Sequence, residues 1–280
     1  MIIDAHQHFW RYNAARHTWI NNTMELLKRD FLPADLEPEL ARNHVDGCIA
    51  VQAEQSDDET EFLLGLAADS PRVLGVIGWT DLTSPTIDAK LRGYTRARAL
   101  RGFRHIAQDE TDDRFLVREE VVRGIRALRA FGYTYDILIY ARQMPAALEL
   151  VSRFPEQKFV LDHIGKPDIK NGTLEPWASQ IRRLGEYTNV TCKLSGLVTE
   201  ASWSTWKKED FWPFLDIVWE TFGAKRLMFG SDWPVCLLAG SYTKVKQLIE
   251  SYVGQFTKSE QEQAFGKTAA CFYGIESPAT

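Results

Sequence analysis

Cysteine is scarce and never closely paired in this 280-residue sequence. The four present, Cys48, Cys192, Cys236 and Cys271, stand far apart, and no CxxC occurs. That spacing excludes a zinc ribbon and a dithiol redox pair, and the apolar runs around Cys48 and Cys192 suit buried free thiols. Long apolar stretches are missing as well: none approaches the ~18–20 residues that a membrane-spanning helix requires. The chain reaches a strand-like run at once, with no charged segment leading into an apolar one, so no secretion signal is expected and the expected location is the cytoplasm. A basic excess is also lacking. The net charge is −5, which argues against nucleic acid or an anionic membrane as partner, since both demand a cationic surface. No GxGxxG follows the first strand-like run, and no linker or low-complexity stretch divides the chain.

What is present is a regular alternation. Eight strand-like runs appear in order: IIDAHQH, DGCIAVQA, RVLGVIGWTD, LRGFRH, TYDILIY, KFVLDHIG, VTCKLSG and RLMFGSDWP. Segments of helical period separate them, and several carry boundary signals. Pro33 fits a first helical turn, while Gly132 and Gly223 suit helix C-termini. Strand–helix alternation implies parallel βαβ units, and eight of them over ~250 residues match a (β/α)8 TIM barrel. The expected architecture is therefore one α/β domain over residues 1–280, with an extra C-terminal helix over SEQEQAFGKTAACFYG. Residues 9–32 follow the first strand directly and are expected to form a long loop on the barrel's C-terminal face, where barrel active sites lie.

Polar residues gather at the ends of these strands. Strand side chains alternate, so Asp4, His6 and His8 are expected to point together into the barrel, with Ile3 and Ala5 facing the helices. The eighth strand ends on Asp232 followed by Trp233–Pro234, and the sixth on His163 with Lys166 just beyond. The fourth offers Arg104 as its inward residue, the fifth Tyr140, the second Gln52 and Glu54, and the seventh Lys193 and Ser195. Aromatics such as Trp10, Trp19, Trp79 and Trp203 fall near the same mouth, where flat faces between polar groups suit a sugar ring.

The combination of DAHQHFW, GFRH, LDHIGKP and GSDWP resembles the amidohydrolase superfamily, in particular the sugar-lactonase branch of its amidohydrolase-2 proteins. The likeness runs through essentially the whole chain. It implies hydrolysis of a lactone of fucono-, rhamnono- or galactono- type, with Asp232 as general base and His6, His8 and His163 completing the catalytic set. His6 and His8 act in such proteins as metal ligands or as direct polarising groups. The fifth strand carries Tyr140 where metal-rich members place a histidine, and the fourth ends without a lysine to be carboxylated, so a binuclear centre is not expected. The expected cofactor is none at all, or one divalent ion, zinc being possible, on His6, His8 and Asp232. Arg104, Tyr140, Trp10, Lys166, Glu54 and Trp79 are the expected substrate contacts, with Arg104 or Lys166 meeting the charge of the aldonate product. The rival readings within the superfamily are a metal-dependent decarboxylase and a lactonase for a pyrone-type dicarboxylate.

Overall fold

A computed structural model describes residues 1–276, and its centre is a sheet of eight parallel strands in the order of the chain. The strands are β1 (Ile3–Gln7), β2 (Gly47–Val51), β3 (Val73–Gly78), β4 (Leu100–His105), β5 (Thr134–Ile137), β6 (Phe159–Leu161), β7 (Val190–Leu194) and β8 (Leu227–Phe229). Helices α1 (Pro33–Arg42), α2 (Asp57–Asp69), α3 (Ile87–Tyr94), α4 (Glu119–Ala130), α5 (Met144–Arg153), α6 (Trp177–Gly185), α7 (Trp212–Phe222) and α8 (Tyr242–Val253) connect or follow them. This is the TIM-barrel arrangement that the alternation predicts. Pro33 opens α1, and Gly132 and Gly223 take positive φ just beyond α4 and α7, as their chemistry dictates.

Closure of the sheet is made by backbone beyond β8. Asp232 N–H donates to the His6 carbonyl at 2.8 Å, and His8 N–H donates to the Trp233 carbonyl at 2.7 Å. The eighth strand end is thereby locked to the first. Within the barrel, Ile3, Ala5, Ile49, Val51 and Ile77 pack with Val160 and Met228 in a core separate from the larger layer between strands and helices. Burying each such aliphatic side chain contributes about 1.5–3 kcal/mol.

One expectation about β1 fails. Ile3 and Ala5 face the barrel axis, and Asp4 faces outward, accepting from the Tyr242 hydroxyl of α8 at 3.0 Å and from Ser231 N–H at 2.9 Å. The cause is a bulge. From Asp4 to Gln7, β1 advances three residues while β2 advances two, from Cys48 to Ala50. The extra residue reverses the alternation, so Ala5 and His6 both point inward and Gln7 turns out toward the Cys48 sulfur. Simple alternation places His6 and His8 correctly and Asp4 wrongly.

The C-terminal helix also differs from the expected single element. It comprises α9 (Lys258–Glu262) and α10 (Thr268–Tyr273), joined by a π turn over Gln263–Lys267. Gly266 in that turn backs onto the Met1 carbonyl so closely that a Cβ could not fit, and the helix widens where it passes the chain start. Phe272 and Tyr273 of α10 then pack beneath the barrel core.

Gly230 sits where β8 meets β1, and a Cβ there would lie 2.6 Å from the His6 Cβ and 3.0 Å from the Ser195 Cβ. Gly230→Ala is therefore expected to destabilise the fold by about 1–3 kcal/mol through overpacking. Urea denaturation should show the loss; an unchanged midpoint would contradict this packing.

Candidate active site

The strand C-termini surround a cavity of about 460 Å³. His8, Arg104, Tyr140, His163, Lys166 and Asp232 all reach its wall, and His6 lies directly beneath. Trp19, Asn21 and Met24, from the long segment after β1, cover one side, and Thr199, Glu200 and Trp203 cover another.

Three expected substrate contacts lie elsewhere. Trp10 is fully buried, donates its indole N–H to the Arg29 carbonyl at 2.9 Å and packs on Phe31, so it holds the loop rather than the cavity. Glu54 points to the Arg16 guanidinium at 3.5 Å. Trp79 donates to His105 Nδ1 at 3.3 Å, on the far side of β4 from Arg104. Aromatic and acidic residues near strand ends serve loop packing as often as binding, and sequence position alone does not separate the two.

The centre of the site is set by two imidazoles and a carboxylate. His6 Nε2 and His8 Nε2 are 3.2 Å apart, and Asp232 Oδ1 lies 3.3 Å from His8 Nε2 and 3.8 Å from His6 Nε2. His8 Nδ1 faces the Val51 carbonyl at 2.8 Å. A carbonyl only accepts, so Nδ1 carries the proton and Nε2 presents its lone pair inward. Arg104 Nη1 approaches His6 Nε2 and Lys193 Nζ approaches His6 Nδ1, each at 3.3 Å, so a donor faces either nitrogen of the ring. Asp162 Oδ1 lies 3.3 Å from the same Nδ1.

Two imidazole nitrogens and a carboxylate oxygen thus converge. A tetrahedral ion with bonds of about 2.0–2.2 Å separates adjacent ligands by about 3.4 Å, which these spacings match. His6, His8 and Asp232 therefore fit a single divalent cation. The other metal-like grouping, His6, Asp162 and His163, is already engaged: Asp162 contacts Lys193 at 3.0 Å and Arg104 at 3.0 Å.

His163 approaches from the β6 side, with Nδ1 2.9 Å from the Ser195 hydroxyl. Gly196, at φ +65°, lies against that imidazole with no room for a side chain. Asp232 and His163 themselves adopt left-handed φ values of +58° and +54°. Such backbone costs of order 1–3 kcal/mol for non-glycine residues and concentrates at functional sites.

Burial governs the charges. Desolvation pushes the His163 pKa down to about 4 and that of His6 well below its ordinary value, despite the nearby Asp232 and Asp162 carboxylates. Burial opposes ionisation of Asp232, but the His163, His6 and His8 imidazoles hold its carboxyl well below the usual range. At neutral pH the site combines an ionised Asp232 with uncharged His6 and His163.

The residues matched by the family model described as Amidohydrolase are 3–275. The chain belongs to the amidohydrolase family. It is 42% identical to an L-fucono-1,5-lactonase of Burkholderia multivorans, over 99% of this chain and 97% of that one. An L-fucono-1,5-lactonase of Burkholderia ambifaria is 36% identical over 99% and 96%. A crystal structure of a Burkholderia multivorans amidohydrolase with bound zinc superposes with a TM-score of 0.96 at 42% identity, covering 99% of this chain and all of that one.

In this amidohydrolase the groups without an expected role are Asp162 and Asp136, both fully buried beneath the cavity. Their signal in the sequence was a lone acid inside an apolar strand, as in KFVLDHIG and TYDILIY. A buried charge demands a partner, and that rule finds them.

Because His163 titrates near 4 rather than near its ordinary value of 6.5, activity is expected to hold between pH 7 and pH 5. It should fall as His163 gains a proton near pH 4. A pH profile of kcat/KM checks this, and an acid limb centred near 6.5 would contradict it.

Proposed function

We propose that this protein hydrolyses a neutral sugar lactone of the L-fucono-1,5-lactone class to the open-chain aldonate. The observation that carries the reading is the facing of Asp232 and Arg104 across His6 Nε2, at 3.8 and 3.3 Å. A base for water and a positive charge for the carbonyl oxygen therefore share one small site. Asp232, ionised and set at the cavity wall, takes the proton of water as oxygen adds to the lactone carbonyl. The Arg104 guanidinium, on the cavity wall, sets its positive charge against the negative charge that develops on the carbonyl oxygen. The proton on Asp232 then passes to the ring oxygen as the C–O bond breaks. A divalent cation on His6, His8 and Asp232 would supply further polarisation of the carbonyl.

The charges around the cavity favour an uncharged ring. Arg104 is committed to Asp162 at 3.0 Å, Lys166 to Glu200 at 3.6 Å, and Arg142 to Asp113 at 2.8 Å. A dicarboxylate would need unpaired cations in these places. Tyr140, over whose ring Lys166 sits at 5.2 Å, and Trp203 offer flat faces for the sugar. The full-length similarity to two L-fucono-1,5-lactonases supports the same substrate class.

Asp232→Asn is expected to lower kcat by ~10²–10⁴ while far-ultraviolet circular dichroism stays unchanged. The assay is proton release from a panel of aldono-1,4- and 1,5-lactones, before and after chelator treatment. Retention of more than about a tenth of the wild-type rate would remove Asp232 from the role of base. Glu200→Gln should release Lys166 and lower KM for a lactone bearing a carboxylate relative to a neutral one. An unaltered ratio would show that the pair does not select charge.

A further inference from the structure

Lys193 of β7 is fully buried and takes no part in the cavity wall. Its Nζ lies 2.5 Å from Asp136 Oδ2 of β5, 3.0 Å from Asp162 Oδ1 beyond β6, and 3.3 Å from His6 Nδ1 of β1. Asp162 Oδ2 accepts from Arg104 Nη1 at 3.0 Å, and the Tyr273 hydroxyl of α10 donates to Asp136 Oδ2 at 3.2 Å. Four strands and the C-terminal helix thus meet at one ammonium on the barrel axis.

Such a cluster is an expensive way to fill a barrel. Each buried ion costs several kcal/mol of desolvation, and well-packed apolar residues in place of a buried ion pair are often as stable or more so. Stability alone therefore does not account for it, whereas geometry does. Asp162 has one oxygen toward Lys193 and His6 and the other toward Arg104. Turning its carboxylate would release both the His6 ring and the Arg104 guanidinium.

We propose that Lys193, anchored by Asp136, is the positioning residue of the active site. It holds Asp162 in the one orientation that supports both the His6 ring and the Arg104 guanidinium at the cavity. Lys193 touches no substrate in this scheme and acts through Asp162. The inference deepens the lactonase reading and rests on it for the roles of His6 and Arg104.

The test separates positioning from mere charge balance. Lys193→Met leaves Asp136 buried without its counterion, so that variant is expected to lose stability as well as activity. In the double variant Lys193→Met/Asp136→Asn the unpaired charge is gone. Its melting temperature should return toward that of the wild type, while kcat for the best lactone stays at least tenfold down. Recovery of kcat to within threefold would overturn the proposal and leave Lys193 a structural counterion. A second measurement needs no substrate. Two-bond 1H–15N correlation spectra of protein labelled at histidine should show the His6 ring signals shifted between the wild type and the double variant. Unchanged His6 signals would sink the positioning role. If the wild type hydrolyses no lactone yet the His6 signals shift, the function reading fails and the positioning stands.

Discussion

The bond from Asp232 N–H to the His6 carbonyl, at 2.8 Å, is the constraint on which both the fold and the site depend. With its companion from His8 N–H to Trp233, it joins the end of the eighth strand to the first and makes a barrel of an open sheet. The same two bonds bring the side chains of His6, His8 and Asp232 to within 3.2–3.8 Å of one another. Barrel closure and assembly of the centre are thus one event. The bulge in β1 is what makes the two compatible, because it lets His6 follow Ala5 into the interior without moving Asp4 from its outward bonds to Ser231 and Tyr242.

The site is held by groups that are themselves costly to hold. His163 and Asp232 occupy left-handed backbone, and Ile164, whose branched side chain disfavours that region, does so at φ +49°. Beneath them Lys193, Asp136 and Asp162 are fully buried. Strain and desolvation of this kind persist only where the surrounding structure over-determines them. Here the surrounding structure is a ring of parallel strands with an apolar core below and α10 closing the base.

Much of this was legible in the sequence, because a barrel writes its architecture locally. Each βα unit announces itself by periodicity, and strand ends show their polar residues in an otherwise apolar run. His6, His8, Arg104, Tyr140, His163, Lys166 and Asp232 all follow from that rule and all reach the site. What was not legible depends on registers and partners distant in sequence. The direction of Asp4 turns on a bulge defined by how β1 pairs with β2. The placement of Trp10 is decided by its contact with Phe31 and the Arg29 carbonyl, and that of Glu54 by Arg16. The ion cluster joins strands that are neighbours only once the barrel exists, so Asp136 and Asp162 look like isolated acids until then.

The pairing of the cavity's cations has a consequence for the end of the reaction. Arg104 and Lys166 each already face a carboxylate, while Asp232 and Glu200 line the same walls. On the lactonase reading an uncharged ring enters and an anion must leave. Ring opening places a third carboxylate beside two others. The bond cleavage that completes the chemistry therefore also generates a repulsion that favours release of the product anion.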